Sequence, residues 1–275
     1  MSTLARLSGI AYDGFRSVNG SAKPNISTIN GQNLTAATGI STTNLVAHWD
    51  ASNTSSYSGS GTSVNDLVGS ANLTLTNGAT YSNTGSIDRF VLDGVNDDIG
   101  TSGTPTSLQF QFSDPMSIGM WLYPHFNDSA GFGIFTGNPY NTGSFQGVSV
   151  VNGGSGDRLR PRFWMRASSS SYILMSMNAK LTQNSWQYLM VTYNGVKGTS
   201  GTKFYLNGSE VTGTTGSSVG SSTTISHTQD FQIGSRQTVN AFYDGEVADV
   251  HYYNSEVSSS TVLSNYNATK SKFGL

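Results

Sequence analysis

The chain has 275 residues, with 14 Lys+Arg against 16 Asp+Glu and a formal net charge of −2. That balance offers no basic surplus for a nucleic-acid backbone and no polybasic patch for anionic lipid. Cysteine is absent, which excludes disulfides and thiolate metal sites. Only 11% of residues are charged, yet aromatics also reach 11% and glycine numbers 32. Few charges with many Ser, Thr, Asn, Gly and aromatic residues suit short strands joined by tight turns, not disorder.

The N-terminal stretch has no apolar run of signal-peptide length, and no segment approaches the ~20 apolar residues that cross a bilayer. The expectation is a protein made in a cytosol, with neither membrane insertion nor a nucleic-acid partner. Residues 1–43 hold no Trp and no long alternating pattern. They contain two similar fragments, Arg16-Ser-Val-Asn-Gly20 and Ser27-Thr-Ile-Asn-Gly31. Asn-Gly favours turns, so this segment reads as an extended N-terminal arm, too small to fold alone and held by a domain or a partner.

From Leu45 the pattern becomes strands. Leu45–Asp50 is the first, and Asn72–Thr76 alternates apolar and polar with period two. Ile87–Gly94 follows and ends at a turn. Met116–Tyr123 puts Met116, Ile118, Met120 and Leu122 on one face and Trp121 and Tyr123 on the other. Arg162–Arg166, Tyr172–Ser176 and Trp186–Tyr193 come next. Lys203–Gly208 leads across Asn207-Gly208 into Glu210–Thr212, a strong hairpin signal. Phe231–Gly234 and Glu246–Tyr253 complete the set. A lone helical pattern spans Ser258–Lys270, with Gly274 beyond its end. The fold class expected is all-β: a sandwich of two antiparallel sheets with one short C-terminal helix. Residues 44–275 form its domain.

Four blocks in this order resemble the laminin-G-like, concanavalin A-like lectin jelly roll. They are Phe90-Val-Leu-Asp-Gly-Val-Asn-Asp-Asp98, Ser117–Tyr123, Trp186–Gly195 with Phe204–Gly208, and Phe231–Gly234 with Tyr243–Tyr253. The resemblance covers roughly residues 45–272 and implies that fold. Trp121 and Trp186 are then expected between the two sheets. The tail Asn265–Leu275 and the arm are similar, more loosely, to laminin-G-like proteins of tailed bacteriophages. That implies a virion structural protein: a decoration, fibre or other appendage.

Glycoside hydrolases of this fold use paired carboxylates at short strand spacing. Here Glu occurs only at 210, 246 and 256. The nearest approach to the pattern is Asp244, Glu246 and Asp249, and odd spacing puts Glu246 and Asp249 on opposite faces of a regular strand. No enzyme activity is expected. The four histidines, at 48, 125, 227 and 251, include no i,i+2 or i,i+4 pair and read as isolated. Asp93, Asn96, Asp97 and Asp98 cluster oxygens around one turn. They are candidate Ca²⁺ ligands, with Asx-turn bonding to their own backbone as the alternative. Asn138, Tyr140, Arg236, Asn240 and Tyr243 are candidate glycan contacts, supplying aromatic faces and hydroxyl partners. The functional expectation is a non-enzymatic virion component. Residues 1–43 join other virion proteins, the assembly is a homo-oligomer, and the sandwich contacts host-surface carbohydrate. A lectin outside a virion and a carbohydrate-active enzyme are the alternatives, and no cofactor beyond Ca²⁺ is implied.

Overall fold

The structure, a computed structural model, describes residues 28–29, 32–33, 39–126, 134–137, 147–153, 156–198, 200–216, 218–219, 224–227, 230–236 and 241–275. Met1–Thr38 and Gly39–Leu275 are separate compact units. In the first, strands Thr28–Ile29 and Gln32–Asn33 pair antiparallel, with Asn30-Gly31 between them in sequence. The second unit begins earlier than residue 44. The Ser41 N–H donates to Asn265 Oδ1 at 2.9 Å and its carbonyl accepts from the Tyr253 hydroxyl at 2.9 Å. These two bonds tie residues 39–43 to the sandwich.

Among the described residues, the second unit is built on two large antiparallel sheets. The eight-stranded sheet runs Ser209–Val211, Thr202–Leu206, Gln187–Tyr193, Met116–Pro124, Asp244–Tyr253, Arg89–Asp93 and Thr80–Ser82. Leu45–Asp50 also pairs with Asp244–Tyr253. The ten-stranded sheet runs Gly213–Thr215, Ser171–Met177, Pro161–Ser168, Gly147–Asn152, Ile134–Gly137, Phe231–Ile233, Asp98–Thr101, Leu73–Thr76 and Ser63–Val64. Ser218–Val219 also pairs with Ser171–Met177.

Period-two alternation builds the core between them. Met116, Ile118, Met120 and Leu122 bury against Val148, Val150, Phe163, Met165 and Ile173 from the facing sheet. Each such side chain contributes roughly 1.5–3 kcal/mol by leaving water. The Asn207-Gly208 hairpin forms as expected, with φ of 51° and 81° at its two centre residues. Such paired positive φ values match the right-handed strand twist.

The tryptophans depart from expectation. Trp49 lies in the core between the sheets. Trp121 and Trp186 lie instead in a second cluster with Tyr188, Met190, Tyr253, Val262 and Phe273. Because the methionines and Ile118 take the inner face of their strand, Trp121 must project outward, and it needs a cover. The C-terminal helix, Ser259–Thr269, and the turn Lys270–Phe273 supply it. Phe273 stacks on Trp121 at 4.1 Å between centroids, and Trp121 Nε1 donates to Thr269 Oγ1 at 2.9 Å. The helix starts where its cap dictates: Ser258 Oγ accepts from the Thr261 N–H at 3.2 Å.

Candidate functional site

On the outer face of the eight-stranded sheet, mostly buried polar groups cluster beside that helical cover. The long strand Asp244–Tyr253 carries a bulge: Val247 stands opposite Leu122, while Asp249, not Ala248, stands opposite Trp121. One extra residue shifts the alternation. Val247 and Val250 therefore both point into the inter-sheet core, and Ala248 joins the outer cluster. Glu246 lies opposite Tyr123 and Asp249 opposite Trp121, both of the outer cluster. Glu246 and Asp249 thus share the outer face, against the expectation of opposite faces, because the strand is not regular between them.

Sheet pairing also assembles histidines that the sequence leaves apart. His48 and His251 are register partners on neighbouring strands, with Asp249 beside them. His251 Nδ1 lies 2.7 Å from Asp249 Oδ1, and His48 Nε2 lies 3.3 Å from Asp249 Oδ2. His251 Nε2 lies 2.9 Å from the Tyr188 hydroxyl, which in turn lies 3.3 Å from Met190 Sδ. The reading of these histidines as isolated is therefore corrected for 48 and 251. The overlooked signal is Asp249-x-His251, with Trp49 and Asp50 following His48 on the neighbouring strand. Gly119 makes the room, since a Cβ there would stand 2.1 Å from His251 Nε2.

Burial alone pulls the His48 imidazole down, but the charge and hydrogen bond of Asp249 outweigh it, so its pKa rises above the ordinary value. Burial likewise penalises the Asp249 carboxylate. The two imidazoles more than reverse this and hold it well below the usual carboxylate range. Burial pushes the Tyr188 hydroxyl well up. A groove of about 150 Å³, lined in part by Asp50, Ser52, Asp249 and Lys272, reaches this cluster from solvent. Lys272 Nζ donates to Asp50 Oδ2 at 3.0 Å and to Ser52 Oγ at 2.9 Å. Glu246 is engaged elsewhere, with Arg89 Nε at 2.6 Å and His125 Nε2 at 3.4 Å.

In the acidic turn at 93–98, burial together with the neighbouring Asp93 and Asp98 carboxylates raises the Asp97 pKa. Asp93 Oδ1 accepts from the Val95 N–H at 2.8 Å, and Asp97 Oδ2 accepts from the Asp93 N–H at 3.0 Å. Asp98 turns away into the ten-stranded sheet, where its Oδ2 accepts from Gln232 and Ser235 at 3.2 Å each. Asp93 and Asn96 are exposed while Asp97 and Asp98 are buried. This is Asx-turn bonding plus a sheet contact. Of the candidate glycan contacts, Asn138, Tyr140 and Asn240 lie outside the described residues. The backbone of Arg236 is in strand Ser235–Arg236, and its side chain is also outside them. Tyr243 is 1% exposed, edge-on to Phe126 at 5.6 Å. Its ring packs in the protein core and offers no free face for a sugar.

An aromatic pair on the outer face of the ten-stranded sheet was not singled out from the sequence. Phe163, Met165 and Ala167 point inward, so Arg162, Trp164 and Arg166 point outward. Trp164 stacks on Tyr172 of the next strand at 5.8 Å and 27°. Arg166 is buried: its guanidinium carbon lies 6.0 Å from the Trp164 ring centre and its Nε donates to the Ser168 carbonyl at 3.0 Å. Trp164, Tyr172 and Arg162 are each half-buried. The readable signal was Arg-x-Trp-x-Arg on a strand whose other face is apolar.

Comparison with known proteins agrees with this architecture. Similar solved structures include domain 4 of an extracellular arabinanase from Geobacillus stearothermophilus, determined in complex with arabinotriose. It is 18% identical with a TM-score of 0.58, over 81% of this chain and 98% of that one. The binding domain of Paraclostridial Mosquitocidal Protein 1 is 16% identical with a TM-score of 0.59, over 82% of this chain and 52% of that one. The botulinum neurotoxin serotype G binding domain is 14% identical with a TM-score of 0.60, over 83% and 52%. At these identities the likeness is one of fold, and this chain spans about half of each toxin binding domain. No curated protein sequence matches. The model of the concanavalin A-like lectin/glucanases superfamily, in its laminin-G form, matches residues 93–263, and the chain belongs to that family.

Proposed function

We propose that this protein is a non-enzymatic recognition module of a bacteriophage virion. Its sandwich meets host-surface carbohydrate, and its N-terminal segment attaches it to other virion proteins in a symmetric homo-oligomer. The observation that carries the reading is the half-buried Trp164–Tyr172 pair on the outer face of the ten-stranded sheet. Sugar rings present C–H faces that pack on indole and phenol. The named neighbours lend support: one was determined with arabinotriose bound and two are toxin binding domains. The carboxylates of the outer face also favour binding over hydrolysis. Glu246 is paired with Arg89, and Asp249 is held between two imidazoles. The virion setting rests on the similarity of the arm and tail to phage laminin-G-like proteins.

A glycan array with the full chain tests the sugar reading. Wild type should bind a subset of host-type glycans, and Trp164→Ala should lose at least tenfold in affinity while keeping its melting temperature within a few degrees. Silence of the wild type, or equal binding by the variant, removes it. Removing residues 1–38 should abolish incorporation into particles and leave glycan binding intact. Normal incorporation would sink the attachment role.

A further inference from the structure

We propose that His48, Asp249 and His251 bind one divalent first-row transition ion, with zinc as the test case. One nitrogen or oxygen from each residue lies within 4.8 Å of the others. Two imidazoles and one carboxylate form a borderline donor set that suits zinc. Hard cations such as Ca²⁺ want about six to eight oxygens instead.

Two of the three separations need only a small adjustment, and the third, between the two imidazoles, lies within 4.8 Å. Ligands bound about 2.0–2.1 Å from a tetrahedral ion stand roughly 3.3 Å apart. His48 Nε2 and Asp249 Oδ2 are already 3.3 Å apart. The 2.7 Å between His251 Nδ1 and Asp249 Oδ1 must open by about half an ångström, a small swing for an imidazole.

The surroundings of His251 are those of a held ligand. Its Nε2 faces the Tyr188 hydroxyl, whose single proton has two acceptors in reach, His251 Nε2 and Met190 Sδ. With that proton on the sulfur side, His251 carries its own proton on Nε2 and donates it to the phenol oxygen. Nδ1 then presents a lone pair to the Asp249 carboxylate, and a cation between them resolves two facing acceptors. Without the ion, Tyr188 donates to Nε2 and His251 donates from Nδ1 to Asp249. A hydrogen-bonded neighbour that sets the tautomer of a ligand histidine is the usual support of a metal site. Of the three residues Asp249 lines the groove, with Asp50, Ser52 and Lys272, so an ion would enter past its carboxylate. The ion would cross-link strands whose contacting residues, His48 and Asp249, lie 201 positions apart in sequence.

The test uses the full chain, stripped with chelator and desalted. Calorimetric titration with zinc should show one equivalent bound. Cobalt should give visible d–d bands of a low-coordinate nitrogen/oxygen site, and saturating zinc should raise the melting temperature by about 5 °C or more. His48 is 14% exposed in its side chain, so His48→Gln can keep the fold and still donate to Asp249. It should weaken zinc by at least tenfold with the metal-free melting temperature nearly unchanged. His125→Gln, at the pair with Asp244 and Glu246, should bind zinc as wild type does. Failure of the wild type to bind one equivalent overturns the proposal. So does undiminished affinity in His48→Gln, or loss of binding in His125→Gln.

Discussion

Gly119→Ala is the sharpest perturbation of the buried His–Asp–His–Tyr cluster. Gly119 faces His251 on one neighbouring strand and Met190 on the other. An added Cβ would stand 2.1 Å from His251 Nε2, 2.7 Å from its Cδ2 and 2.8 Å from the Tyr188 hydroxyl, where ordinary contact begins at 3.4 Å. The imidazole must therefore retreat by more than an ångström, which breaks its 2.9 Å contact with Tyr188. Overpacking a core costs about 1–3 kcal/mol, and buried partners left unpaired cost about 1–3 kcal/mol more. The sum, about 2–6 kcal/mol, corresponds to a melting temperature lowered by about 5–15 °C for a domain of this size. Thermal and urea unfolding followed by tryptophan fluorescence would read it, since Trp121 packs 5.4 Å from the Tyr188 ring. Removing the ring relieves the clash, so Gly119→Ala combined with His251→Ala should be far from additive, with a coupling above about 1 kcal/mol. A melting temperature within 2 °C or so of wild type for Gly119→Ala would refute this account of the cluster.

Other consequences follow from single contacts. Gly208→Ala should cost about 1 kcal/mol or more, because Gly208 has φ +81° and a Cβ would meet Leu263 Cδ1 at 3.0 Å. Equal stability would mean the hairpin relaxes freely. Burial lowers the His227 pKa, against smaller opposing effects of its hydrogen bond to the Phe110 carbonyl and of Asp114. The unfolded chain therefore takes up the proton first, and stability is lost as pH falls below about 6.5 toward the folded-state value. In urea unfolding from pH 7.5 to 5, His227→Gln should lose less stability than wild type, and parallel curves would contradict this. Millimolar Ca²⁺ should leave the melting temperature unchanged within about 1 °C, because Asp93 Oδ1 and Asp97 Oδ2 serve the turn and Asp98 Oδ2 the sheet. A clear rise would mean that the turn rearranges into a site.

What the sequence determined by itself is what depends on near neighbours. Alternation placed Met116, Ile118, Met120 and Leu122 on one buried face, since side chains alternate along any regular strand. Asn207-Gly208 determined a hairpin, and Ser258 and Gly274 bounded the terminal helical region. Short strands such as Ser63–Val64 and Thr80–Ser82 went unread, because two or three residues carry no period. Tertiary structure alone decided what covers the second face of each strand. The outward Trp121 calls for a cover, but only the chain's return places Phe273 and Thr269 over it. The bulge at Ala248–Asp249 leaves no mark in the local pattern, and it decides that Glu246, Asp249 and His251 share a face. His48 reaches Asp249 through sheet pairing alone. A site made of residues two hundred positions apart exists only once non-local hydrogen bonding has chosen the register.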